Sequence, residues 1–162
     1  MSAIGDQATA VALVIDNVVD SGVVYSYRPM PKGDWATFLD AFTVVIGGVR
    51  QIRAWTVQYM GEERQELNIA MAAAKQRHFY NWKVRFYFGW ADPTSEPMFR
   101  SIVESVADAL DTARTLGGAC ISHDPVDITV PSNGDGVLLG EFLCHTAEID
   151  FRSWDDVNFT IT

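Results

Sequence analysis

From Trp82 to Trp90 the chain alternates. Trp82, Val84, Phe86, Phe88 and Trp90 are large and apolar, while Lys83, Arg85, Tyr87 and Gly89 are charged, phenolic or small. A period of two places the first set on the inner face of a half-buried strand. Beyond Asp92-Pro93 the spacing changes to three and four. Phe99, Ile102, Val103, Val106, Leu110 and Ala113 share one face of a helix over about 95–116,. Thr94 or Ser95 caps its start, and Gly117-Gly118 supplies a left-handed stop. A strand and a helix this apolar are expected to pack on each other.

The rest of the chain reads as additions to that layer. Asp6 caps a helix over about 7–20, with Val11, Val14, Ile15, Val18 and Val19 as its stripe and Asp20-Ser21-Gly22 as its exit,. Val23 to Tyr27 is β-prone, and the prolines at 29 and 31 require a loop. Asp34 caps a short turn carrying Trp35 and Phe38. Phe42–Ile46, the turn Gly47-Gly48 and Val49–Met60 form a long β-hairpin (42–60). Its second strand has apolar groups on both faces, so either both are covered or one meets another subunit. Over 61–76, Glu62 to Glu66 and Met71 to Lys75 favour a loop with a helical turn, with a strand through Leu67–Met71 as the alternative. Val126, Ile128 and Val130 suggest an edge strand, 131–136 a turn, and Val137–Arg152 a last strand with Leu143, Ala147, Ile149 and Phe151 inward,. The expected fold class is α+β. An antiparallel or mixed sheet packs against two main helices, about 7–20 and 95–116, in a single domain over 1–162.

Composition bounds this picture. With 162 residues, 48% of them hydrophobic, the chain can bury about two-thirds of its unfolded surface. It has no apolar run of about 18 residues and no leader-like N-terminus, so neither a membrane span nor secretion is expected. Cys120 and Cys144 are expected as two reduced, partly buried thiols, with a disulfide between them as the alternative. Charge is unevenly placed. Residues 1–100 are neutral, whereas 101–162 hold only Arg114 and Arg152 against eleven acids and carry the net charge of −9. A chain without clustered cations is a poor fit for gripping phosphate backbones. The asymmetry is read either as plain solubility or as a functional device.

Chemical signatures are scarce. There is no phosphate-cradling Gly-x4-Gly-Lys loop and no Gly-x-Ser-x-Gly elbow,. Cys144 and His145 are neighbours on a strand and face opposite sides, so packing roles are expected. His123, Asp124 and Asp127 make at best a weak metal cluster. Lys83 and Arg85 interleave with aromatics as in single-strand nucleic-acid binders, but lie on the opposite face from them. No catalytic, cofactor-binding or metal-binding residue is assigned, and no enzyme activity is expected.

Four stretches in order carry a resemblance. They are Trp82-Lys83-Val84-Arg85-Phe86-Tyr87; Ala91-Asp92 with Ser95-Glu96; Phe99-Arg100-x-x-Val103-Glu104-x-Val106-x-x-Ala109-Leu110; and Leu143-Cys144-His145-x-Ala147-Glu148-Ile149-x-Phe151. With the N-terminal helix and Val23-Val24-Tyr25, they resemble the tail-terminator (tail-completion) proteins of long-tailed bacteriophages and gene-transfer particles. The resemblance implies a structural virion protein of the tail-neck region, assembled in the host cytoplasm. It implies a homo-oligomeric ring, commonly a hexamer, on the head-proximal end of the tail tube. Such a ring ends tube polymerisation and meets a head-connector or stopper protein, with DNA only in passage, no membrane and no cofactor. The alternatives are another neck protein (stopper, adaptor or head-completion) or a non-viral binding module. A ring needs two different patches on each subunit. Arg50, Arg53, Trp55, Tyr59, Lys83 and Arg85 are candidates for inter-subunit or tube contacts, paired with C-terminal acids of a neighbour. Asp124, Asp127 and Asp135 are candidates for lining the channel.

Overall fold

The computed structural model describes residues 3–29, 39–70, 73–90, 94–131 and 136–160. Among the described residues two long helices, a short helical stretch at 39–41 and a mixed eight-stranded sheet make an α+β fold. In chain order the elements are α1 (Ala3–Asp16), β1 (Val23–Tyr25), β2 (Thr43–Ile46), β3 (Val49–Ala70), β4 (Ala73–Gly89), α2 (Ser95–Thr112), β5 (Ser122–His123), β6 (Asp127–Thr129), β7 (Val137–Leu139) and β8 (Phe142–Thr160). A 3-10 turn occupies Leu116–Gly118. β1, β3, β4, β8 and β5 lie side by side; β2 joins β3, and β6 and β7 join β8. Among the described strands only β1 on β3 is parallel.

The alternating strand behaves as its pattern dictates. Tyr80, Trp82, Val84, Phe86 and Phe88 are buried, with Trp55 and Val57 of β3 on one side and Ala147, Ile149 and Phe151 of β8 on the other. Phe99, Ile102, Val103, Val106 and Leu110 of α2 and Val11 and Ile15 of α1 close over this face. A smaller cluster of Phe42, Ile52, Ala54 and Cys144 covers the opposite face at one end of the sheet. Both sides of β3 are therefore covered there within the chain. Cys120 belongs to the first cluster and Cys144 to the second, and both are free thiols, as expected. Burial pushes each thiol up to about 11.

Several boundaries depart from the sequence reading. α1 begins and ends four residues early, which puts Asp6 in its first turn, where the helix dipole favours an acid,. α2 stops at Thr112 rather than near 116. Arg114 there donates to the Asp111 carbonyl, and Leu116 turns left-handed to bury itself,. Thr94 makes no side-chain cap bond, and the Ser95 hydroxyl is committed to His145. Trp90 lies just past β4 and is partly exposed. The expected strand 137–152 is two strands, because Gly140 at φ 64° lets β7 fold back onto β8, which then runs eight residues further. Leu143 is consequently partly exposed. The 126–130 segment does pair with the last strand, over Asp127–Thr129.

The largest correction is at 61–76. Among the described residues of this stretch there is neither a loop nor a helical turn, and the alternative of a strand through Leu67–Met71 holds as far as Ala70. β3 continues to Ala70 and β4 starts at Ala73, in register from Gly61–Asn81 to Ala70–Ala73 with irregularities beside Met60 and Leu67. Cross-strand pairing to both neighbours of β4 overrides the helix propensity of Glu62–Glu66. The 42–60 hairpin exists, but its second strand is the first half of a longer one. The turns at 34–38 and 132–135 lie outside the described residues.

Candidate assembly surfaces

The outer face of the sheet carries two of the four candidate cations. Lys83 and Arg85 alternate with the buried residues of β4, and Glu148 and Asp150 alternate with those of β8. The antiparallel register sets Lys83 opposite Asp150 and Arg85 opposite Glu148. Arg85 Nε donates to Glu148 at 2.9 Å, and Lys83 Nζ reaches Asp150 at 3.1 Å as well as Glu148. The C-terminal acids that the charge split suggested on a neighbouring copy are thus on the adjacent strand of the same chain. These two cations form no free basic patch.

Burial pushes the Glu148 carboxyl up, but hydrogen bonds from Lys83 and Arg85 overcome it and leave the carboxyl below its ordinary value. A carboxyl whose folded pKa is depressed stabilises the fold above its unfolded pKa, and loses that contribution as pH falls through the folded one. The Glu148 side chain is 17% exposed. Glu148→Gln should cost about 1–2 kcal/mol at pH 7, and the gap to wild type should narrow below about pH 4. Urea unfolding at pH 7 and pH 3 tests this, and an equal gap at both would refute the ion-pair origin.

The other candidate contacts are placed differently. Arg50 is exposed and paired with Asp40. Arg53 is buried, with its guanidinium 4.9 Å over Phe88 and bonded to the Asp20 carbonyl at 2.8 Å. Trp55 is fully buried, stacked on Phe86 at 4.0 Å, with its indole N–H on the Ser21 carbonyl. Arg53 and Trp55 therefore support the surface from beneath instead of forming it. Tyr59 is partly exposed, edge-on to Trp82. Asp124 is half-exposed and pairs with Arg152 at 3.2 Å. Asp127 is exposed on β6, opposite Asp150. Asp135 lies outside the described residues. His123 is buried, with both ring nitrogens against main-chain carbonyls, so its ring does not face Asp127 as a ligand.

Two features had escaped the sequence reading. At one end of the sheet an open cleft of about 740 Å³ is lined by Val49, Ile52, Trp90, Ser95, Met98 and Phe142 among others. The Ser95 hydroxyl on its wall lies 2.9 Å from His145 Nε2, and the His145 ring is stacked between Trp90 and Phe99. Burial lowers the His145 pKa despite the nearby Glu96, so the ring is neutral at pH 7. Among the described residues no carboxylate hydrogen-bonds its other nitrogen, as a Ser–His nucleophile would need. The pair ties the first turn of α2 to β8.

The second feature is an arm at the opposite end. β3 beyond Gly61, β4 before Asn81 and β8 beyond Ser153 continue as three paired strands, with Glu63–Asn68 and Asn158–Thr160 exposed. Its root is a buried polar chain. Trp82 Nε1 donates to Ser153 Oγ at 2.8 Å, Ser153 Oγ donates to Gln7, and Gln7 Nε2 donates to Asp155 at 2.7 Å. The Ile121 N–H also donates to Asp155, whose carboxyl is nonetheless raised, burial outweighing these bonds. Gln7 had left a trace in the sequence, as a polar residue four positions before Val11 on an apolar stripe. At the same root His78 Nδ1 lies 3.1 Å from Glu62 and the ring stacks on Phe159.

No helix is long and apolar enough to cross a membrane among the described residues. Compared with known proteins, the chain matches no family model and no curated sequence to significance.

Proposed function

We propose that this chain is a structural virion protein, a tail terminator. In this reading it forms a ring at the head-proximal end of a tail tube, ends tube polymerisation and presents a surface to the head connector. It carries out no bond chemistry and sits in the tail-neck region of the particle. One observation carries the reading. The described parts of the stretches that resemble tail terminators, far apart in sequence, form one packed unit: β4 and β8 pair along their length, and α2 lies over both. A packed unit is the form a family resemblance takes when it reflects a shared core. The exposed arm adds support, since a sheet that outruns its helical cover is suited to contacts with other copies.

Removing the gene and imaging the particles by electron microscopy tests the proposal. Overlong tails beside separate, filled heads are expected. Free tails of normal length would move the role to a stopper, adaptor or head-completion protein. Ordinary infectious particles would overturn the reading.

A further inference from the structure

The arm leaves two rows of main-chain groups without strand partners among the described residues. β2 and β1 cover the outer side of β3 only as far as Thr56. From Val57 to Ala70 the only strand beside it among the described residues is β4. The outer side of β8 is met in turn by β7, β6 and β5 up to Trp154. From Asp155 to Thr160 the only strand beside it among the described residues is again β4, although the Asp155 side chain accepts from Gln7 and Ile121. Edges of this kind recruit strands unless they are short, covered or blocked by proline. The β3 edge is long and free of proline, no strand among the described residues covers it beyond Thr56, and its two register irregularities leave it open.

Direction and charge select the partner. β3 and β8 are both antiparallel to β4, so both run toward the tip of the arm. Rotation about an axis along the arm preserves that direction. The β8 edge of one copy then meets the β3 edge of the next as a parallel pair, and the contact repeats until the ring closes. On the face shared by Arg77 and Asp156, Lys75 and Arg77 of β4 have only the single acid Asp156 of β8, Asp155 lying on the other face against Gln7 and Ile121, which leaves a surplus positive charge on that face. On the β3 edge Glu63 has no cation at ion-pair distance among the described residues, and its register opposite Phe79 puts it on the same face as Arg77. Leu67 and Phe159, about two-fifths exposed (40% and 38%), lie on the two edge strands. Pairing those strands brings together charge of opposite sign and apolar surface.

We propose that the chain assembles by sheet extension between copies, with Asp155–Thr160 of one copy pairing alongside Val57–Ala70 of the next. This identifies the two patches of the ring described above and rests on that reading. The test is native mass spectrometry with amide hydrogen exchange on the whole chain across a concentration series. A closed oligomer of more than two copies is expected. On assembly, amide exchange should slow at least tenfold in peptides spanning 62–68 and 155–160. Glu63→Arg, an exposed change, should weaken assembly about tenfold. An oligomer whose edge amides exchange as fast as in the monomer would overturn the inference and leave the ring reading standing. A dimer protecting 62–68 alone would overturn it as well, because two-fold pairing of β3 with β3 leaves β8 open. A monomer at every concentration would do the same, and the ring reading would then be decided by tail length in the gene-deleted particles. Unchanged assembly of Glu63→Arg would refute the charge match.

Discussion

In the Trp55→Ala variant the unfolding free energy is expected to fall by about 3–5 kcal/mol. For a chain of this size that lowers the melting temperature by roughly 6–20 °C. Trp55 is fully buried, and its ring lies parallel to Phe86 at 4.0 Å, while Phe86 in turn stacks on Phe99 of α2. Removing the indole opens a cavity beneath the layer that joins β3, β4 and α2. It also leaves the Ser21 carbonyl without its donor, and an unpaired buried acceptor adds to the loss. Since a domain of this kind holds only about 5–15 kcal/mol in total, the variant sits near the limit of folding. Trp55→Phe keeps a ring on Phe86 and loses only the N–H and part of the volume, so about 1–2 kcal/mol is expected. Calorimetry on both variants decides it. An unchanged melting temperature for Trp55→Ala would mean that α1 and α2 do not cover this face. Because the residue is buried, Trp55→Phe should also assemble as wild type does, which a direct contact role would not allow.

The parts legible in the sequence are those where one period runs undisturbed. β4 alternates over its whole apolar stretch, and α2 keeps its three- and four-residue spacing from Phe99 to Leu110, so strand, helix and their contact could be read directly,. The arm could not be read this way. Glu62 to Glu66 have no alternation and good helix propensity, and they are strand only because β4 holds them in register from a distance in the chain. Beyond His78 and Tyr80, which are buried at its root, the arm is half-buried or exposed, so burial wrote little pattern into it. The boundary of β8 was missed for a related reason. Trp154, Asp155 and Asp156 look like a polar end, yet they extend the strand through bonds to β4, to Gln7 and to Ile121.

Charge was legible in sum and misread in placement. The surplus of acids after residue 100 is real, but Glu148, Asp150 and Asp156 answer Lys83, Arg85, Lys75 and Arg77 across one antiparallel ladder. The trace was present in both strands. Lys83 and Arg85 alternate with apolar residues on β4, and Glu148 and Asp150 alternate with apolar residues on β8. Two strands that carry opposite charges at the same spacing are candidates to pair with each other before either is assigned to another molecule. Arg77 and Lys75 bring the Asp156 carboxyl down to about 2, chiefly through hydrogen bonds. Asp155 beside it is raised by burial. The two neighbours thus respond oppositely to acid. Asp156 loses its contribution as pH falls, whereas Asp155 favours the fold below its unfolded pKa and loses that contribution as pH rises through the folded one.

Gly22→Ala is expected to cost about 2–5 kcal/mol, combining backbone strain with a steric clash. Gly22 sits at φ +99°, and a Cβ added there would lie 2.3 Å from the Arg53 carbonyl oxygen and 2.6 Å from its Cγ. The first of those atoms is backbone in the middle of the sheet and cannot swing aside. Replacing glycine by alanine also stiffens the unfolded chain, a stabilising effect of about 0.4–1 kcal/mol at a permissive site, which is too small to offset the clash. Gly47 is the control. It has φ +59°, and a Cβ added there would meet nothing within 4 Å, so Gly47→Ala should show the strain alone, about 1–2 kcal/mol. Gly22 matters beyond its own contacts because its neighbours hold two buried groups. The Asp20 carbonyl accepts from Arg53 and the Ser21 carbonyl accepts from Trp55. A shift forced at Gly22 loosens both bonds and disturbs the parallel pairing of Val23 with Ala54. Gly22→Ala and Trp55→Ala should consequently cost less together than the sum of their separate effects, by about 0.5 kcal/mol or more. Additive losses would show that the segment entering β1 does not depend on Trp55 for its position.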